Sequence, residues 1–105
     1  RAAIRQAKAG MHGRELDAVA RDIIVRAGYG NYFVHTLGHG IGRKVHQLPR
    51  VSPKRAQRLK PGDVITIEPG IYLPGKFGIR IEDMVVLKRG GNENLTRSPK
   101  RLLVL

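Results

Sequence analysis

Three of the four histidines fall within one glycine-rich segment, and two glutamates follow, each after a short apolar run. The segment is His35–His46, and it contains His39 between two glycines. The glutamates are Glu68 and Glu82. Imidazole nitrogens and carboxylate oxygens are the ligands that hydrolytic metal sites use. The pattern therefore indicates a hydrolytic metal site built from these side chains.

Both glutamates are expected at the ends of β-strands, where side chains alternate between the two faces. Glu68 lies on the face opposite two isoleucines in 64–68, and Glu82 shares a face with Arg80 in 78–82. A carboxylate carried inward on such a strand is costly unless it meets a cation or a strong donor. The alternative is that each acid faces solvent, which is the commoner case for a single acid.

The histidine segment must bend if its members serve one site. His35 and His39 can share a strand face, whereas His39 and His46 would point opposite ways on a regular strand. A bend or bulge at Gly40 or Gly42 would bring them together, and glycine suits that role. Alternatively, one of the three is a buried structural histidine or a surface residue.

Four motifs together resemble the pita-bread metallopeptidases. They are 35–42 (HTLGHGIG), 45–46 (VH), 67–72 (IEPGIY) and 78–83 (GIRIED). The last two favour the Xaa-Pro dipeptidases (prolidases) and aminopeptidases P over the methionine aminopeptidases of the same family. The resemblance implies an α+β fold that forms part of a pita-bread architecture, with two helices followed by a curved, mainly antiparallel sheet. It also implies a peptidase that cleaves peptide bonds next to proline.

The resemblance further implies a site for two divalent ions, Mn, Co or Zn, with His39, Glu68 and Glu82 as ligands. Glu82 would bridge the two ions. The catalytic residues implied are Glu68, which would accept a proton from the attacking water, together with His46 and His35. His46 would stabilise the tetrahedral intermediate or hold the substrate carbonyl, and His35 would help to position the substrate.

Three more residues receive roles from the resemblance. Arg80 would orient carboxylates through its planar guanidinium. Tyr72 would bind substrate with Arg80, His35 and His46, and Tyr72 and Asp83 would support the residues that contact the metals. The implied partners are a proline-containing peptide and a second subunit in a homodimer.

The chain departs from the family pattern at two points. The family supplies two further aspartate ligands from an upstream strand, and none of the four aspartates here lies in that context. Gln47 stands where the family usually has an acid. We therefore expect residues 1–105, which begin at Arg1, to be the C-terminal portion of a catalytic domain. At most one weak metal site and little or no activity are expected of this portion alone.

Composition adds limits and alternatives. The 105 residues suffice for one domain, and their formal net charge is +12. Seven Lys/Arg and no acid lie within 43–60, which we expect to be a solvated surface. A non-catalytic relative that binds protein or nucleic acid through this surface is the alternative function. A small domain that dimerises to complete its sheet is a third possibility. The absence of cysteine excludes thiolate ligands, and no apolar run is long enough to span a membrane. We expect a cytoplasmic protein.

Periodicity and turn residues predict the elements that carry the site. Helix 14–27 has one apolar face, with two acids in its first turn and with Arg14, Arg21 and Asp22 in solvent. His12, just before this helix, is expected to be structural. The other predicted helices are 2–9 and 53–59, and the predicted turns are 60–63, 74–76 and 89–92. The predicted strands are 32–34, 64–68, 71–73, 79–82, 84–87 and 102–105. Of these, 79–82 and 84–87 are expected to form either a strand pair or one bent strand.

Overall fold

The computed structural model describes residues 1–105 and contains two helices followed by two antiparallel sheets. Neither helix has the length and hydrophobicity needed to cross a lipid bilayer. The elements in chain order are α1 (Ala2–Gln6), α2 (Gly13–Arg26), a short 3-10 helix (Gly30–Tyr32), β1 (Gly38–Gly40), β2 (Gln47–Val51), β3 (Val64–Ile67), β4 (Gly70–Leu73), β5 (Phe77–Arg80), β6 (Asp83–Lys88) and β7 (Gly91–Asn94).

The main sheet has five strands in the order β2-β1-β3-β6-β7, and every neighbouring pair is antiparallel. The second sheet is the β4–β5 hairpin. Twelve buried apolar side chains form a single core that the two helices and the main sheet share. Its largest fully buried members are Leu16, Leu37, Leu59, Ile65 and Leu87.

The two sheets share one register along a long interrupted ribbon. The β3–β6 pair starts with Val64 opposite Val86, and the β4–β5 pair ends with Leu73 opposite Phe77, without a shift in register between them. The ribbon is interrupted at Glu68 and Pro69, which lie between β3 and β4 and belong to neither strand. Of the two arrangements predicted for 79–87, pairing of the two segments with each other is wrong; they are the consecutive strands β5 and β6, which lie in different sheets.

Helix α2 confirms the prediction for 14–27 to within one residue at each end. Leu16 and Ala20 are buried on its inner face, as their spacing predicts. At its start, the backbone N–H of His12 donates to Glu15 Oε2 at 2.7 Å. His12 thus has the structural role expected of it, because this bond caps the helix.

The first helix is shorter than predicted and ends at Gln6 rather than at residue 9. Ala9 N–H donates to the Lys88 carbonyl, and Gly10 N–H donates to the Leu59 carbonyl. These bonds to the rest of the fold replace the intrahelical bonds that further helical turns would need.

Three predicted elements are absent because tertiary contacts replace them. Residues 32–34 form no strand, since a 3-10 helix leads into them and Phe33 turns into the core. Residues 53–59 form no helix, because the Arg55 carbonyl accepts a bond from the N-terminal turn of α2. Residues 102–105 pair with no strand and are exposed.

Candidate metal and substrate site

The site is built where β1 lies unusually close to β3. A Cβ added to Gly38 would lie 1.8 Å from the Thr66 carbonyl oxygen, so only glycine fits there. Two bonds then fix the flanking residues. His39 N–H donates to Thr66 Oγ1 at 3.1 Å, and Glu68 N–H donates to the Leu37 carbonyl at 2.7 Å. This close approach sets His39 beside Glu68.

The side chains of His39 and Glu68 face each other through two acceptor atoms. His39 Nδ1 lies 2.9 Å from the Gly40 carbonyl, which can only accept, so Nδ1 carries the proton. In the neutral ring Nε2 is then unprotonated, and it lies 3.4 Å from Glu68 Oε2. That oxygen is buried and has no hydrogen-bond partner. A cation between the two atoms would satisfy both, so the donor set fits a metal ion.

His46 joins this pair through the bend that the sequence predicts. The β1–β2 pairing shifts register between His39 and Gly40, which is the signature of a bulge. The chain then returns antiparallel, and the rings of His39 and His46 lie edge to face with centroids 5.5 Å apart. His46 itself is exposed. It is therefore free to reach a ligand beside His39.

His35 is held by its neighbours rather than by the metal pair. Its Nδ1 donates to the Thr36 carbonyl at 2.8 Å, so its Nε2 accepts from the Tyr72 hydroxyl at 2.7 Å. The ring of Phe33 packs edge-on at 5.2 Å between centroids. His35 is partly exposed. The hydroxyl of Tyr72 thus fixes the orientation of a histidine that borders solvent.

Backbone register places Glu82 across the ribbon from Glu68. The shared register of the two sheets sets position 82 opposite position 68 at the interruption of the ribbon. The Glu82 side chain is 46% exposed and lies 3.7 Å from Arg80 Nε. No three ligating side chains converge in this structure. His39 and Glu68 are brought together, and Glu82 is on the same end of the strands but beside Arg80.

Asp83 follows as the first residue of β6 and is 2% exposed. Its Oδ1 accepts from Lys100 Nζ at 2.6 Å and from Asn94 Nδ2 at 3.1 Å. These donors hold the start of β6, and therefore the segment that carries Glu82.

The sequence prediction for Arg21 is wrong. Arg21 was expected in solvent, yet it is partly buried, and its partner Asp17 is 1% exposed. Arg21 Nε lies 2.6 Å from Asp17 Oδ1, and the pair contacts the segment that leads to His35. The spacing of four residues between an acid and an arginine was the signal available in the sequence.

Comparison with known proteins identifies the family of this chain. The model of a family described as "Metallopeptidase family M24" matches residues 1–89. The chain belongs to metallopeptidase family M24. A curated relative of this M24 chain, the Xaa-Pro dipeptidase of Pyrococcus furiosus, is 50% identical over 101 residues, which is 96% of the chain and 29% of the relative.

Solved structures of similar proteins share the fold of this chain. An Xaa-Pro dipeptidase from Bacillus anthracis matches with a TM-score of 0.96 at 47% identity, over 99% of the M24 chain and 29% of its own. An X-Pro aminopeptidase from Thermotoga maritima matches with a TM-score of 0.94 at 52% identity, over the same shares of both chains. The M24 chain thus spans less than a third of the length of the relatives it matches, and it has their fold in that part.

Proposed function

We propose that these 105 residues are the C-terminal portion of the catalytic domain of a metal-dependent peptidase that cleaves peptide bonds next to proline. The activity is that of an Xaa-Pro dipeptidase or an aminopeptidase P. The names of the similar proteins support this class. The longer protein that contains these residues is called the parent below.

The observation that carries the proposal is the facing pair of acceptors at His39 and Glu68. Nε2, which is unprotonated in the neutral ring, and the buried, unpartnered Oε2 are 3.4 Å apart. Two acceptors at that distance repel each other unless a cation or a proton lies between them. In a metallopeptidase such a pair can bind a metal ion, whereas two residues on a solvated surface would bind water instead.

We propose His39, Glu68 and Glu82 as ligands in a site of the parent for two divalent ions, either Mn, Co or Zn. Such ions act as Lewis acids on the scissile carbonyl and lower the pKa of a water nucleophile. Glu68 would also accept the proton of that water as a general base. Glu82 would bridge the two ions, with Arg80 orienting its carboxylate.

The remaining residues would handle the peptide. His46 is exposed beside His39, so its ring can donate to the oxygen that becomes negative during attack. His35 would position the substrate, and Tyr72 would hold its ring and contact the same substrate. Arg80 is half exposed and could also receive a substrate carboxylate. The partners proposed for the parent are a proline-containing peptide and a second subunit in a homodimer, in the cytoplasm.

The test is hydrolysis by the parent with each of Mn²⁺, Co²⁺ and Zn²⁺. The substrates are an Xaa-Pro dipeptide and the same dipeptide with alanine in place of proline. The proposal predicts metal-dependent cleavage that favours proline. The Glu68→Gln variant should lose about a hundredfold or more in kcat, since it lacks a proton acceptor.

Glu93→Gln is the matched control, because Glu93 is an exposed glutamate paired only with Lys88. It should retain full activity. No hydrolysis of either substrate with any of the three metals would contradict the proposal. Salt-sensitive binding to nucleic acid in that case would support the non-catalytic alternative instead.

A further inference from the structure

Asp17 is a buried carboxylate to which the proposed function gives no role. Both of its oxygens accept from Arg21, at 2.6 Å from Nε and 3.1 Å from Nη2. Its Oδ2 also accepts from the backbone N–H of Leu37 at 3.0 Å. Burying such an ion pair is a poor source of stability, because the desolvation penalty offsets the attraction. The pair therefore needs another explanation, and its remaining contacts supply one.

One line of contacts leads from Asp17 to Glu68. Leu37 is fully buried, and its N–H is bound by Asp17. The carbonyl of the same residue accepts the backbone N–H of Glu68 at 2.7 Å. A shift of Leu37 would therefore move the backbone from which the Glu68 carboxylate projects.

A second line leads from Arg21 to His35. Arg21 Nη1 donates to the Phe33 carbonyl at 3.0 Å, and Nη2 donates to the carbonyl of His35 at 2.8 Å. The guanidinium also lies over the Phe33 ring, 4.0 Å from its centroid, and that ring packs against His35. Arg21 thus holds both the backbone and the ring environment of His35.

We propose that Asp17 and Arg21 are positioning residues of the candidate site. The pair couples helix α2 to Glu68 through Leu37, and to His35 directly. The consequence for catalysis rests on the proposed function, whereas the positioning itself does not.

Amide hydrogen exchange on the parent tests the first line, from Asp17 through Leu37 to Glu68. In Asp17→Asn, the amides of Leu37 and Glu68 should exchange about tenfold to a hundredfold faster, as expected for loss of a bond to a charged acceptor. The Leu87 amide, which donates to the Asp63 carbonyl, is the internal reference and should change far less.

The matched control is Asp22→Asn, the same substitution on an exposed residue of the same helix, and it should leave these amides unchanged. Equal acceleration at the reference amide would mean that the substitution only lowers global stability. That result would overturn the proposal, as would unchanged exchange at the two site amides.

Arg21→Lys tests the second line and serves if the Asp17 variant fails to fold. Lysine keeps the charge beside Asp17 but lacks the planar fork that reaches two carbonyls at once. The ¹⁵N signal of His35 Nε2, which reports its bond from Tyr72, should shift in Arg21→Lys and not in the exposed control Arg14→Lys. An unchanged signal in Arg21→Lys would overturn this part.

Both measurements use the parent without metal or substrate. Absence of peptidase activity in the parent would therefore contradict the proposed function and leave these spectra to decide the positioning role. Normal peptidase activity together with unchanged spectra would contradict the positioning role alone.

Discussion

The substitution Gly38→Ala should separate β1 from β3 and thereby disrupt the His39–Glu68 pair. An added Cβ would lie 1.8 Å from the Thr66 carbonyl oxygen, whereas ordinary contact begins at 3.4 Å. The strands would have to move apart by about 1.6 Å, the difference between those distances. The obstacle is backbone, which cannot rotate away. We therefore expect a loss of about 3 kcal/mol in the free energy of unfolding, the upper end for overpacked sites.

The assay is urea unfolding of the chain and of two variants, followed by far-UV circular dichroism. Gly90→Ala is the matched control, because Gly90 lies in a turn and its added Cβ meets nothing within 4 Å. That variant should be neutral or more stable by about 0.5 kcal/mol. A loss below about 1 kcal/mol in Gly38→Ala would refute the argument, since such a clash cannot be absorbed that cheaply.

Two further predictions concern single hydrogen bonds. Thr66→Val removes the acceptor of His39 N–H, and Thr96→Val removes the acceptor of Met84 N–H. Each substitution should lower the free energy of unfolding in urea by about 1–3 kcal/mol. Only Thr66→Val should also weaken Mn²⁺ binding by the parent. Equal effects of the two variants on Mn²⁺ affinity would contradict the role given to His39. The backbone bond from His12 holds the pKa of Glu15 below its ordinary value, so the folded state binds the proton less readily than the unfolded state. This stabilisation is complete above pH 4.5 and is lost as the pH falls through the lowered pKa. In acid unfolding, Glu15→Gln should therefore lose less stability below pH 4.5 than the unchanged chain does.

The local sequence pattern predicted much of the secondary structure. It failed where contacts between residues distant in the chain determine the structure. Helix α2 follows from its apolar spacing, and the turn at 74–76 follows from Pro74 and Gly75. Residues 102–105 are as apolar as a buried strand, yet a strand also needs a neighbouring edge, which no local pattern reports. The segment 53–59 has good helix-start residues, but its carbonyls are used by α2.

The bend after His39 was predicted correctly, because glycines mark close approach and bulges in the sequence itself. The roles of His39, Glu68 and Glu82 as ligands remain predictions, since the three side chains do not converge in the structure. Asp17 was predicted only as an acid of the first helical turn, and local pattern gave no sign that it is buried. Its burial depends on Arg21 and Leu37, and the latter lies 20 residues away along the chain.

The most direct test of the metal-site account is the metal content of the purified parent and of its Glu82→Gln variant, measured by mass spectrometry after incubation with Mn²⁺ and dialysis. If Glu82 bridges two ions, the parent retains two per chain and the variant loses both, while Glu93→Gln retains two. Two ions per chain in Glu82→Gln would contradict the account.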